Sequence, residues 1–417
     1  MADTDARDRK LSFAVCFQLS IVGIKNALVQ AVPVMYENSM LLNYILLAVL
    51  LCIYLFVFVD SIYRFVHMRP IVFLVLLIVL TSFAVSPLIS LNNTKVIMEW
   101  IPRTLPYCII TYMLIAELRS FHWIEYYMTR YCYIILVFCA VSALVIQING
   151  HAAFSPWETY SMPLSYSTLI SAMWLLYKYC RDKKIYDAIL FFAGLFIIVG
   201  YGSRNPLLAI GAYIIYQIIK SVMSYKVSMA KKLFFIIIIL LIPILVLFHK
   251  DFLRLLSDFF GTFHIESRTL NLLSLPADSS IDFSSGRDAI HAEIIRELLN
   301  RPLLGLGLGG DAGITGDMSH GLFLSLLSTY GFVLGGVSIF ALLMLVLRSY
   351  TASSQYVKEI LMVYICLVIP RGFTSIDVWT YDVFWWMLGV CTAAVYNRIY
   401  KETSSSGKGR AYAMTTV

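Results

Sequence analysis

The chain is short of charge. Asp, Glu, Lys and Arg make up 14% of its 417 residues, against about 25% in ordinary soluble domains. Hydrophobic residues make up 60%, and mean hydropathy is +0.79. So little charge excludes a water-soluble globule, a coiled coil and a disordered chain. Cysteine chemistry has no signature either. The eight cysteines (Cys16, Cys52, Cys108, Cys132, Cys139, Cys180, Cys366 and Cys391) lie in or at the ends of apolar runs, and none has CxxC spacing. They read as small buried hydrophobes, and neither a disulfide framework nor a metal site is expected. There is no Walker motif, HExxH or GxSxG, so ATP-driven transport and hydrolase chemistry have no visible support. No repeat of 20–50 residues is present.

Hydrophobic length is what remains. A bilayer core about 30 Å thick needs about 20 apolar residues per helix. Twelve runs meet that reading, at roughly 11–35, 40–60, 70–90, 99–117, 125–149, 161–180, 185–201, 205–222, 232–249, 320–347, 356–371 and 380–399. The expected fold class is an all-α polytopic integral membrane protein. It has about 12 transmembrane helices and one long extracytoplasmic loop containing an amphipathic helix. The expected organisation is helices 1–9 over 1–249, the loop over 250–319, helices 10–12 over 320–399 and a cytoplasmic tail over 400–417. The first run is interrupted by Lys25 and Asn26 and follows MADTDARDRK without a small-residue cleavage site. It reads as a retained span.

The net charge is +7, but its distribution argues for a membrane and against nucleic acid. With the N-terminus in the cytoplasm, 21 of the 32 Lys and Arg residues fall inside. Ten fall outside or at outer helix ends, six of them in the long loop, and Lys25 lies within the first span. The positive-inside asymmetry predicts that both termini are cytoplasmic. Within the loop, SSGRDAIHAEIIRELLNRP predicts an amphipathic helix. Ser284 or Ser285 is the cap, Ile290, Ile294, Ile295, Leu298 and Leu299 form one face, and Pro302 follows the end. Such a helix suits a membrane surface or a cavity roof.

The residues that break the charge pattern are the candidates for chemistry. Arg204 stands in YGSRNP, Arg371 in IPRGFTSID and Arg103 in IPRTLPY, all on the expected outer side. An arginine beside a membrane needs water, protein or an anion, and a guanidinium suits phosphate. The alternative for each is snorkelling to lipid phosphate. Arg287 falls in the first turn of the loop helix, where free N–H groups and the helix dipole favour anions. Its alternative is an ion pair with Asp288 or Glu293. His320 closes the loop in GDMSHGLFLSLL, and a neutral imidazole there can accept a proton from a hydroxyl. His291, on the loop helix, competes for that role. GLGLGGD formally matches GxGxxG but lacks the preceding strand, and it reads as a flexible turn. Asp3 and Asp5 form a DxD in the cytoplasmic N-terminal tail, far from any pocket.

Four segments together carry a resemblance: YGSRNPLL before a span, SSGRDAI opening a loop helix, RPLLGLGLGG, and SHGLFLSLLSTYGFVLG. In this order they resemble the O-antigen ligase and Wzy-type polysaccharide polymerase superfamily, most clearly over roughly 200–340. Where members typically carry His-Asn, this chain has His320 followed by Gly321. The resemblance implies a multi-pass glycosyltransferase of the bacterial cytoplasmic membrane, with its active site facing the periplasm or cell exterior. By position, Arg204 and Arg287 match arginines that bind pyrophosphate, and His320 matches the catalytic residue that activates the acceptor hydroxyl. Arg371 is added from topology, with Arg103, Asp288 and His291 as secondary candidates. No metal and no cofactor is implied, because arginines can balance a pyrophosphate leaving group. The partners implied are a polyprenyl-pyrophosphate-linked oligosaccharide donor and acceptor, membrane lipid, a chain-length regulator and a flippase. A polymerase of O-antigen or capsule-like polysaccharide, inverting and metal-independent, is the favoured expectation. A ligase acting on a lipid A core or another final acceptor is the alternative, and a lipid-glycan flippase or secondary transporter the lesser one.

Overall fold

Proline and glycine divide the apolar runs into helices. The structure, a computed structural model, describes residues 2–59, 69–153, 159–223, 249–263, 265, 267–274, 287–316, 318–373 and 377–397. In chain order the helices are α1 (Ala2–Ala31), α2 (Pro33–Glu37), α3 (Ser39–Val59), α4 (Pro70–Ile89) and α5 (Leu91–Arg103). A π-helical turn (Thr104–Ile109), α6 (Ile110–Ala116), α7 (His122–Asn149), α8 (Met162–Asp182), α9 (Ile185–Tyr201) and α10 (Arg204–Met223) follow. Then come α11 (His249–Gly261), α12 (Arg268–Ser274), α13 (Arg287–Asn300), α14 (Gly310–Thr315), α15 (Leu322–Ala352) and α16 (Gln355–Gly372). A last helix, α17, covers 382–397. Pro70 stands in the first turn of α4, where a missing N–H costs no hydrogen bond. Ser161 caps α8 by accepting from Leu164 N at 3.3 Å.

The expectation of about 12 transmembrane helices is corrected. Among the described residues, six helices are long and apolar enough to cross a membrane: α1, α3, α4, α7, α10 and α15. The chain is a multi-pass α-helical membrane protein, and its described residues hold half the expected number of such helices. Pro102 and Pro106 break the run at 99–117. Each removes a donor from the helical ladder, and the ladder widens into the π turn before α6 resumes. α9 has 17 residues and falls short of the about 20 needed. α8 is long enough, but Ser165, Ser167, Thr168 and Ser171 are buried in its interior-facing surface, so its neighbours are protein. α16 carries Lys358, Glu359 and Arg371, and the described part of α17 is almost wholly buried. The run at 232–249 lies outside the described residues except for His249, as do the Ser284 and Ser285 caps and the tail at 400–417.

The loop holds more helix than the one stretch that the pattern picks out. The segment 250–319 holds α12, α13, α14 and nearly all of α11. It is also shared between two compact units. The first unit takes Met1–Val15, Val49–Glu125 and Asp282–Val417, and the second takes Cys16–Ala48 and Tyr126–Ile281. In the first unit, Arg69 is buried and donates to Leu118 O at 3.2 Å and Asn397 Oδ1 at 3.1 Å. Arg7 pairs with Glu117 at 3.1 Å. In the second, α8 and α9 pack closely: a Cβ at Gly194 would stand 3.2 Å from Ala172 Cβ.

Candidate functional site

The turn before α15 carries the most distinctive backbone in the first unit. His320 has φ +50°, the left-handed region that few non-glycine residues enter. Hydrogen bonds to either side hold it there. Ser319 N donates to Asp311 Oδ2 at 3.0 Å, and Asp311 Oδ1 accepts from Ala312 N at 2.9 Å. Beyond the turn, Ser325 N donates to Gly321 O at 2.7 Å. Ser325 Oγ donates to Asp377 Oδ2 at 2.9 Å, and Asp377 Oδ1 accepts from Trp379 N at 2.6 Å. The Trp379 indole N–H reaches Thr329 Oγ1 at 3.3 Å. Both carboxylates therefore fasten the chain next to His320 while the imidazole itself is half-buried.

The end of α16 joins the same place. A Cβ at Gly321 would stand 3.9 Å from Gly372 O, and the Phe323 and Phe373 rings lie 5.1 Å apart. Arg371, one residue before Gly372, stacks its guanidinium 4.5 Å above the Tyr381 ring. Two residues singled out from sequence, His320 and Arg371, thus meet through their backbone neighbours.

Asp311 and Asp377 are 2% and 3% exposed. Burial pushes the Asp377 carboxyl up to about 7, with the nearby Asp311 charge adding to the rise. Burial raises Asp311 as well, against the donors that favour its charge. A buried carboxyl beside a second acidic group favours its protonated form. Neither was singled out from sequence. The available signal was an acidic residue inside otherwise apolar sequence, in GGDAG and SIDVW.

α13 (Arg287–Asn300) lies within the stretch that the pattern assigns to a helix. Arg287, His291, Ile294 and Leu298 recur at helical spacing on one face. Arg287 and His291 are half-buried on it, Ile294 and Leu298 fully buried, while Asp288 is exposed. α13 packs against α14 and α15. Glu293 pairs with Arg296, so among the described residues Arg287 keeps no acidic partner. The Nε2 of His291 is buried without a hydrogen-bond partner. Arg103 ends α5 with its side chain exposed.

The glycine run after α13 is a fixed turn and not the flexible one expected. Gly305 has φ +67°, and a Cβ there would stand 2.4 Å from Gly331 N. Asn93 Nδ2 donates to Leu306 O at 2.9 Å, and Leu308 N donates to Ser86 Oγ at 2.7 Å. This anchors the turn to α4 and α5 and delivers the chain into α14, where Asp311 sits.

Arg204 belongs to the second unit, where it opens α10 half-buried. The turn before it is tightly built. A Cβ at Gly202 would stand 2.1 Å from Ser165 Oγ, Thr269 Oγ1 donates to Gly202 O at 2.6 Å, and Asn205 Nδ2 donates to Tyr166 OH at 3.3 Å. Among the described residues, no group of three or more His, Cys, Asp or Glu side chains is placed to hold a metal ion. In comparisons with known proteins, the chain matches no family model and no curated protein.

Proposed function

We propose that this chain is a membrane glycosyltransferase of the polysaccharide polymerase type, working at the outer face of a bacterial cytoplasmic membrane. It moves a glycan from polyprenyl pyrophosphate to a sugar hydroxyl of a lipid-linked repeat unit. The observation that carries this reading is the His320 turn. A histidine is held in a left-handed backbone by neighbours bonded to two buried carboxylates, beside the end of α16 that bears Arg371. Backbone of that kind concentrates where a side chain must be aimed. The outward orientation rests on the Lys and Arg asymmetry.

In this reading the acceptor hydroxyl oxygen bonds to the anomeric carbon of the donor. The bond from that carbon to the pyrophosphate oxygen breaks, and its electron pair leaves with polyprenyl pyrophosphate. The hydroxyl proton passes to the His320 ring, and the anomeric centre inverts. Arg287, at the start of α13, supplies positive charge for the leaving pyrophosphate. Arg371 is the second cation assigned to the leaving group in the first unit. The assignment of Arg204 to pyrophosphate rests on the sequence motif alone.

The test uses the purified full chain with a synthetic lipid-linked repeat unit, scored by product length on a gel. His320→Ala is expected to bind donor and to transfer about 10²–10⁴-fold more slowly, while His291→Ala is milder. A wild-type ladder from His320→Ala with a dead His291→Ala would move the base to His291. Transfer only to a lipid A core acceptor, and not to a second repeat unit, would replace polymerase with ligase.

A further inference from the structure

α11, in the second unit, divides into three lengthwise sectors. Phe260 is buried, with Leu253 and Leu256 half-buried beside it. Phe260 stacks on Phe196 of α9 at 4.8 Å and closes over Gly200, where a Cβ would stand 3.0 Å from its ring. This sector faces protein. On the opposite side Arg254 and Asp258 are exposed. This sector is made for water. Between the two runs a third sector, Phe252, Leu255, Phe259 and, just past the helix end, Phe263. These side chains are 58%, 68%, 47% and 48% exposed. They recur at helical spacing and form one continuous strip. A helix packed only on protein has no use for the bare strip, and a helix in water would bury it.

The place of α11 accounts for the strip. Phe263 O accepts a hydrogen bond from Gln147 Nε2, near the last turn of α7. Gln147 Oε1 in turn accepts from the hydroxyl of Tyr201, the last residue of α9, at 3.0 Å. Ser267 Oγ donates to Val199 O at 2.6 Å. The C-terminal end of α11 is thus tied to the end of a helix that is long and apolar enough to cross a membrane. That is the level where acyl chains give way to headgroups. On α7 itself Val141, Leu144 and Ile148 stay exposed up to that end, so apolar surface continues to the same depth. We propose that α11 is an interfacial helix. Its Phe252, Leu255 and Phe259 strip inserts into the acyl boundary of the bilayer, and its Arg254 and Asp258 face meets water and headgroups. The occupant of the strip is lipid. Thr269 of α12, the next helix, is bonded to Gly202 O, which ties the turn before α10, and with it Arg204, to the segment that follows α11. The proposal needs only the membrane reading of the chain and does not depend on transferase activity.

Site-directed spin labelling of the full chain in lipid nanodiscs tests it. Cys52 is exposed and Cys180 half-exposed, and the other six cysteines are buried, so Cys52→Ser and Cys180→Ser leave a quiet background. Leu255→Cys and Phe259→Cys report on the strip, and Arg254→Cys and Asp258→Cys on the polar face. All four sites are exposed. The two strip labels are expected to collide preferentially with molecular oxygen, which partitions into acyl chains. The two polar-face labels are expected to collide preferentially with a water-soluble nickel chelate, so the preference reverses between the pairs. Equal access of the chelate to all four would put the helix in water. Shielding of Leu255→Cys and Phe259→Cys from both reagents would mean that protein, such as a second copy, covers the strip. Either outcome overturns the proposal.

Discussion

His320 makes one demand through its backbone and another through its ring. The left-handed φ of +50° costs an L-residue about 1–2 kcal/mol relative to the right-handed region, and glycine escapes that cost. The ring is needed only if it takes a proton. His320→Gly is therefore expected to unfold at a temperature equal to or above that of His320→Ala, by the equivalent of roughly 1 kcal/mol, while both lose transfer. Thermal scans of the purified variants and the product ladder separate the two demands. A His320→Gly variant with full transfer would remove the imidazole from the chemistry. His320, Arg287 and Arg371 stood out because a polar group in apolar sequence calls for a reason. Asp311 and Asp377 broke the same rule, but their meaning lies in a proximity that separate segments create on folding. The unpartnered Nε2 of His291 was likewise invisible, since only packing decides which histidine face is sealed from water.

The helices show the same division between what a pattern states and what packing decides. Among the described residues, six of the twelve expected runs are helices long and apolar enough to cross a membrane. Hydropathy counts apolar side chains without asking whether lipid or protein surrounds them. α8, with its buried serines and Trp174, and α17, with its buried Trp385 and Trp386, are apolar because they face protein. The helical character of Arg287–Asn300 is legible, because helix periodicity is local. Glycine in a sequence suggests a flexible turn because it allows freedom, yet here positive φ is used for close approach. Gly305→Ala is expected to destabilise the protein by at least about 1–3 kcal/mol through left-handed backbone alone. The clash with Gly331 N adds to that, since backbone cannot move aside as a side chain tip can. Gly336, with open space around its Cβ position, is the control, and Gly336→Ala is expected to be neutral or stabilising by roughly 1 kcal/mol. Equal unfolding midpoints for the two variants would show that the turn is not a fixed hinge.

A buried acid that keeps its proton links the stability of the folded protein to pH. Asp377 titrates near 7 in the fold because burial and the Asp311 charge oppose its ionisation. In the unfolded chain it titrates at about 3.9. Between those values the folded state holds a proton that the unfolded state has released, so raising the pH favours unfolding. The stabilising contribution is fully present below the unfolded value and is lost as pH rises through 7. The limiting slope for one group is about 1.4 kcal/mol per pH unit. The rise of Asp311, caused first by burial, acts in the same direction. Unfolding midpoints of the purified full chain, measured from about pH 4.5 to 8, are therefore expected to fall with pH and to level off above neutrality. Asp377→Asn keeps a side chain able to accept from Trp379 N and removes the titration, so its profile is expected to be flatter over the same window. An Asn variant with the wild-type slope would place the linked proton elsewhere. The same ionisation bears on the His320 turn. Once both carboxyls are charged, repulsion strains the two bonds, to Ser319 N and from Ser325 Oγ, that hold the turn on either side. Transfer by the wild-type protein should then fall in alkaline buffer where transfer by a still-active Asp377→Asn variant does not.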